Sequence, residues 1–249
     1  TDSVENFNYD NLHRLMDSNF SSQGLSNSIN YDYDALGNLT LKSDYASVYN
    51  YDGSKPNAVS SVLLKNNETV NFSYDGRGNL KSDGKRTLTY NVHDKPITIN
   101  RQGNSVALTY GADLKRYKQT RVVNGETTLT HYIDKLYEVD YVNNEDYPRA
   151  YIGNIAIIGK SIERGTYIHY LHGDRLGSVA TITDHNGQIV TTRSSDPFGK
   201  PRHGDFSNAL VPTLTEIDGA SVTRRGFTQH EHLDEMQLIH MNGRVYDYN

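Results

Sequence analysis

One short motif, returning along the chain, limits what this sequence can fold into. Tyr33-Asp34-Ala35-Leu36-Gly37-Asn38-Leu39 and Tyr74-Asp75-Gly76-Arg77-Gly78-Asn79-Leu80 nearly superimpose, and both run on into Lys and Ser. Looser copies begin at Tyr9-Asp10, Tyr51-Asp52, Tyr90-Asn91 and Tyr110-Gly111, so successive starts lie 24, 18, 23, 16 and 20 residues apart. A motif returning about every 20 residues marks an array, each copy being a unit that cannot bury its own apolar face. The residue types say which unit. Asp can accept hydrogen bonds from amides two residues on, and Gly can take the positive φ that closes a four-residue loop. Tyr before the loop and Leu after it then fall on the two strands of a hairpin.

The stretches between these loops read as strands. Thr69-Val70-Asn71-Phe72-Ser73-Tyr74, Thr87-Leu88-Thr89-Tyr90 and Val106-Ala107-Leu108-Thr109-Tyr110 alternate or are rich in β-branched residues. Asn124-Gly125, Asn186-Gly187, Asn242-Gly243, Asp83-Gly84 and Asp218-Gly219 add further hairpin signals, and almost no window carries a sustained helical stripe. The expectation is an all-β chain: an array of antiparallel β-hairpins stacked into a curved, spiralling sheet. Composition fits that better than a globule. Of 249 residues, 19 are Tyr, 24 Asn and 20 Gly, while hydrophobic residues make up only 35%. A sheet wall needs flat rings along its face and Asn, Asp and Gly at its turns, not a thick core.

Other classes drop out. With no Cys, disulfide frameworks, thiol nucleophiles and Cys-based metal clusters are excluded. No run approaches the roughly 20 apolar residues of a spanning helix. A net charge of -5 argues against a nucleic-acid footprint. His230-Glu231-His232 with His240 invites a metal reading, but it lacks the His-Glu-x-x-His spacing, since position 234 is Asp. Ser178 near His172 and Asp174 has no Gly-x-Ser-x-Gly elbow around it. Gly76-Arg77-Gly78 sits in a hairpin turn without a following helix, which speaks against phosphate binding. Asp196-Pro197-Phe198-Gly199 reads as a turn. No catalytic residue, metal or cofactor is expected.

The motif resembles the repeat of the RHS/YD-repeat family, Tyr-Asp-x-x-Gly-x-Leu, with Tyr33, Asp34, Gly37, Tyr74, Asp75 and Gly78 as its structural residues here. The second half is similar to the RHS-associated core. His172-Gly173-Asp174-Arg175-Leu176-Gly177-Ser178 and Asp196-Pro197-Phe198-Gly199 carry that likeness, as do Gly226-Phe227-Thr228, His230-Glu231, Leu233-Asp234-Glu235 and Met241-Asn242-Gly243-Arg244. Gly173, Arg175, Gln229 and the Met236-Gln237 pair depart from the family's pattern. The resemblance implies YD-repeat hairpins over 1–150 and an RHS-associated core region over 151–249, together part of a hollow shell. In bacterial members such a shell encloses a C-terminal toxin, and aspartate-dependent self-cleavage in the core frees it. The cleavage element is expected only downstream of Asn249, so no enzymatic activity is expected of this chain. Arg244, with Asp247 beside it, matches a family Arg close before the cut, and is the candidate accessory to that cleavage.

The implied function is a structural shell segment that encapsulates and helps deliver a toxin. The implied partners are the remainder of the shell, the enclosed toxin domain, an immunity protein and a delivery-spike protein, with no nucleic acid and no membrane span. Secretion or surface display through a bacterial secretion system is implied as well, from a fragment with no visible signal peptide. The alternative is a cell-surface carbohydrate-binding or adhesion module, since Tyr rings stack on pyranoses and Asn amides bond their hydroxyls. A surface loop is expected over 203–225, and short helical turns between Thr228 and Glu235.

Overall fold

A computed structural model describes residues 3–22, 24–162, 165–203, 216–217 and 220–249 of the chain. They divide into two compact units, Thr1–Thr87 with Asn249, and Leu88–Tyr248. Among the described residues secondary structure is antiparallel β-strand plus two short 3-10 turns, Phe227–Gln229 and Asp234–Met236. No helix among them is long and apolar enough to cross a membrane. The loop expected over 203–225 falls largely on 204–215 and 218–219, outside the described residues.

The two near-identical repeat loops are closed the same way. Asp34 Oδ1 accepts from the amides of Leu36 and Asn38, both at 2.9 Å, and Gly37 N–H donates to the Asp34 carbonyl at 3.1 Å. Asp75 repeats this with Arg77 at 2.8 Å, Asn79 at 2.9 Å and Gly78 at 3.1 Å. Gly37 and Gly78 hold φ of 86° and 90°, the left-handed region that glycine enters without steric cost. Where the sequence lacks Gly at that place, His13, Asp94 and Leu114 take φ of 60°, 59° and 59° instead. Side-chain and backbone donors, chiefly Asn38 and Asn79, hold the Asp34 and Asp75 carboxyls below the ordinary range. Asp174, Asp184 and Asp196 each accept from two amides in the same pattern.

In the first unit seven strands from Ser3–Tyr9 to Thr69–Asn71 pair strictly in sequence order. Its core is Ala46, Tyr49, Val62, Leu64 and Val70, with Leu39, Tyr51, Val59 and Phe72 packed against them. The repeat tyrosines have a definite place. Tyr51 Oη donates to the Leu39 carbonyl at 2.7 Å and Tyr74 Oη to that of Val59 at 2.8 Å. In the second unit Tyr110 Oη donates to Pro96 O at 2.9 Å. Each ring is half-buried and its hydroxyl spent on the backbone of an earlier strand, so these tyrosines do not line an open groove. Burial pushes the hydroxyls of Tyr51 and Tyr110 up to about 12.

In the second unit the strands from Pro96–Arg101 to Pro201–His203 again follow one another in sheet order, each neighbour in space being a neighbour in sequence. The order is linear and does not close on itself, as expected of an open sheet rather than a barrel. Pairing of Glu138 with Arg149, Asp140 with Tyr147 and Arg149 with Gly159 sets the register across the middle of this sheet. Tyr167, paired with Gly159, lays its ring in the space a Cβ at Gly159 would occupy. A small apolar cluster of Tyr151, Ile157, Leu171, Val179 and Ile182 closes around Val222. From there residues 222–248 lie back on one face of the same sheet, ending in a three-stranded sheet of Glu231–Leu233, Leu238–His240 and Val245–Tyr246.

Candidate functional site

The face that receives residues 222–248 is charged, and this is the part of the molecule with chemistry to explain. Side chains two apart on a strand share a face. Glu138 and Asp140 therefore point the same way from Tyr137–Val142, and Arg149 and Tyr151 do so from Glu145–Ile152. Arg149 Nε reaches Glu138 at 2.9 Å and its Nη2 reaches Asp140 at 2.7 Å. Thr130 Oγ1 donates to Asp140 at 2.5 Å, and Tyr151 Oη to Glu138 at 2.6 Å. Arg224, from the returning segment, comes within 3.5 Å of Asp140. Burial works against the charge of Asp140, but Arg149 and Arg224 outweigh it and hold the carboxyl well below its ordinary value. Arg149 is 1% exposed and Asp140 0%, so the pair is dry and one partner alone would be a buried, uncompensated charge.

The same exchange of charge fastens the rest of the segment. Glu231 pairs with Arg116, accepts from Gln119 at 3.2 Å and from Tyr132 Oη at 3.0 Å. Burial opposes its ionisation, yet Arg116 and Arg224 hold it down to about 2. Glu235 pairs with Arg121, while its carbonyl accepts from Arg101 at 3.1 Å. Asp234 pairs with Arg193 at 2.8 Å. The Lys95 ammonium donates to the carbonyls of Asn242 and Gly243 at 3.4 and 3.3 Å.

His230, His232 and His240 are drawn to different partners. Glu231 and His232 alternate across the strand Glu231–Leu233, and His232 enters the space left open by Gly226. Phe227 N–H donates to His232 Nε2 at 3.0 Å, and Arg193 Nη2 donates to its Nδ1 at 2.9 Å, with Asp234 3.5 Å from the same nitrogen. Burial, then the charge of Arg193, pushes His232 down to about 4. His240 lies against Tyr110 Oη at 3.4 Å, and burial and Arg116 push it down to about 3. His230 bonds Thr228 through Nδ1 at 2.9 Å. Among the described residues no group of three or more such side chains converges on a point where a metal would sit.

The other candidates are placed as follows. Ser178 Oγ accepts from the Thr228 amide at 3.1 Å, Asp174 binds the amides of its own loop, and His172 Nε2 meets Thr183 Oγ1 at 2.9 Å, so the three do not form a relay. Asp196 builds a turn, accepting from Phe198 at 2.9 Å and Lys200 at 2.8 Å. Arg244 is exposed. It shares a neighbourhood with Asp247 and Asp196 around Tyr246, whose hydroxyl is pushed up by burial and then by those two carboxylates. Sequence reasoning missed Glu138, Asp140, Arg149, Arg193 and Arg224 altogether. The signal was there in Tyr137-Glu138-Val139-Asp140-Tyr141, where charge falls on alternate positions at the middle of a strand.

Beside the Arg116–Glu231 pair a cavity of about 480 Å³ opens, lined among others by Tyr132, Lys135, Asn154, Arg225, Gln229 and His230. Arg225 stacks its guanidinium 3.4 Å above the Tyr151 ring and donates to the Lys135 carbonyl at 2.9 Å.

No family model matches the chain. It is 26% identical over 230 residues to the tRNA nuclease WapA of Bacillus subtilis (strain 168), covering 88% of this chain and 9% of that protein. A tRNA3(Ser)-specific nuclease WapA of Bacillus spizizenii matches to the same extent, 26% over 230 residues, 88% of this chain and 9% of the relative. The chain thus spans about a tenth of the length of these relatives. Their names denote an enzymatic activity, and this overturns the expectation that no enzymatic activity goes with this chain. Among solved structures, the crystal structure of TcdB2-TccC3-Cdc42 matches 99% of the chain and 15% of its own at a TM-score of 0.63 and 14% identity. The Photorhabdus luminescens Tc holotoxin pore does so over 99% of the chain and 16% of its own, at 0.54 and 13%. With sequential hairpins in open antiparallel sheets, the chain has the RHS-like fold of these toxin shells.

Proposed function

We propose that this chain is a segment of an RHS-type toxin shell, the part of a longer bacterial protein that encloses its toxic domain and helps deliver it. On this reading residues 1–150 supply YD-repeat wall and 151–249 the start of the core region that folds back on that wall. The observation that carries the proposal is the charged seat: a C-terminal segment clamped onto one face of an otherwise open sheet by Arg116–Glu231, Arg193–Asp234 and Arg224–Asp140. A segment so held fixes the path of the chain that follows it. The likeness to the WapA nucleases supports an RNA-cleaving activity for the whole protein. A net charge of -5 favours contact between RNA and some other part of it.

The test uses the full-length protein in which this chain occurs. Limited proteolysis should leave the toxic domain intact, and tRNA cleavage should be weak until the shell is opened. Arg149→Met, which takes the Arg149 cation from Glu138 and Asp140, should raise both protease sensitivity and tRNA cleavage. A toxic domain digested at the same rate inside the intact protein as when free would overturn the proposal.

A further inference from the structure

The cavity beside Tyr132 has an imbalance of charge that the clamp does not use. Its carboxylates are matched: Glu231 to Arg116, Glu138 to Arg149, and Asp134 to Lys115 at 3.6 Å. Lys135 and Arg225 are not. Among the described residues neither has a carboxylate partner, and both line the cavity. Arg225 is also held in place, its plane fixed by the Tyr151 ring at 3.4 Å and one nitrogen by the Lys135 carbonyl at 2.9 Å. A guanidinium fixed in this way presents its remaining edge as a fork suited to a carboxylate.

The third wall is His230. Thr228 Oγ1 donates to the Phe227 carbonyl at 2.8 Å, so toward His230 Nδ1, at 2.9 Å, it accepts. The ring therefore carries its proton on Nδ1 and leaves Nε2 able to take up another as an anion arrives. The backbone here is strained: Thr228 lies at φ 49° and ψ 35°, and Gln229 at φ 62°. A β-branched residue in that region persists only where its surroundings hold it. Here they do, through the Thr228 backbone N–H on Ser178 Oγ at 3.1 Å and the Gln229 side-chain Nε2 on the Gly177 carbonyl at 2.5 Å. Two unmatched cations, a neutral imidazole and a pinned, strained loop face one cavity whose volume lies in the range of ligand pockets.

We propose that this cavity binds a single carboxylate, presented by an aspartate or glutamate side chain of a polypeptide lying on this face of the sheet. A polyanion is disfavoured, because its further charges would meet Asp134, Glu138 and Glu231. That the polypeptide is the enclosed toxin rests on the shell reading above; the site itself does not.

The experiment takes the chain with labelled histidine rings and titrates it with blocked aspartate, N-acetyl-aspartate methylamide. Blocked asparagine and inorganic phosphate are run in parallel. Blocked aspartate should shift the His230 signals saturably and asparagine should not. Lys135→Gln and Arg225→Gln should each weaken binding about tenfold. The His232 signals report whether the seat is still folded, and Lys135→Gln decides the matter because Lys135 is exposed. No saturable shift, equal binding of asparagine, binding of phosphate without aspartate, or unchanged affinity in a folded Lys135→Gln would each overturn the site. A toxin left unprotected in the proteolysis experiment would overturn the shell reading alone and leave the probe result standing.

Discussion

Arg149 and Asp140 face each other across neighbouring strands with Nη2 2.7 Å from Oδ2, both sealed from water, and Arg149 also holds Glu138 at 2.9 Å. Such a group is strong only while complete. Arg149→Met leaves Glu138 with Tyr151 alone and Asp140 with Thr130 at 2.5 Å and Arg224 at 3.5 Å. It should cost about 3–5 kcal/mol, whereas removing the charge of Glu138 as well, with Asp140 kept as the partner of Arg224, should return part of that loss. Urea unfolding of the single and double variants checks this.

Acid should loosen the seat in two stages. His232 and His240 are held neutral at about 4 and about 3 against an ordinary 6.5. Unfolded chains take up protons on these rings below 6.5 and the folded chain does not, so stability falls as pH drops through that range. Glu231 adds a later loss. Its stabilisation is complete above the ordinary 4.5 and drains away as pH falls toward about 2. The urea midpoint should therefore decline from near pH 6.5 downward, and His240→Gln should flatten the upper part of that decline and leave the lower. A midpoint constant between pH 6.5 and 4.5 would contradict the assignment.

The repeat loops make a prediction that concerns titration. Asn79 is the leading cause of the lowered Asp75 carboxyl, through its side chain at 3.0 Å and its amide at 2.9 Å. Asn79→Ala should move Asp75 up toward its ordinary 3.8 without reaching it, because the backbone donors remain. Carboxyl chemical shifts followed against pH would show it. Gly78→Ala, at φ 90°, should instead cost stability, about 1 kcal/mol or more.

Gly159 and Tyr167 should behave as one unit. A methyl group at Gly159 meets the Tyr167 ring, so Gly159→Ala should cost about 1–3 kcal/mol. Combined with Tyr167→Ala it should cost less than the sum of the two single changes. Additive losses would mean that the ring does not depend on the bare glycine.

How much of this the sequence discloses depends on how local each cause is. In Asp34-Ala35-Leu36-Gly37 donor, acceptor and left-handed residue lie within five positions, so residue type alone describes the loop, and strict strand order follows from a run of such loops. The seat is different. Arg116 and Glu231 are 115 residues apart, and which charges meet is decided by register, since a shift of one residue would turn Glu138 and Asp140 to the opposite face. His230-Glu231-His232 shows the same limit. As neighbours in sequence they look like a cluster, but alternation sends them to Thr228, Arg116 and Arg193. The enzymatic relatives could not be inferred from wall residues at all, because the wall's composition answers to packing rather than to any substrate.

The strict succession of strands also sets an order of assembly. Every strand of these sheets finds its partner within a few tens of residues, so pairing can keep pace with synthesis, hairpin by hairpin, without waiting for distant chain. The segment 222–248 cannot do this. Its contacts reach back to Arg101, Arg116 and Arg121 and need those strands already in register. It leaves the ribosome after the strands it packs on, and whatever follows it begins its life against a surface already in place.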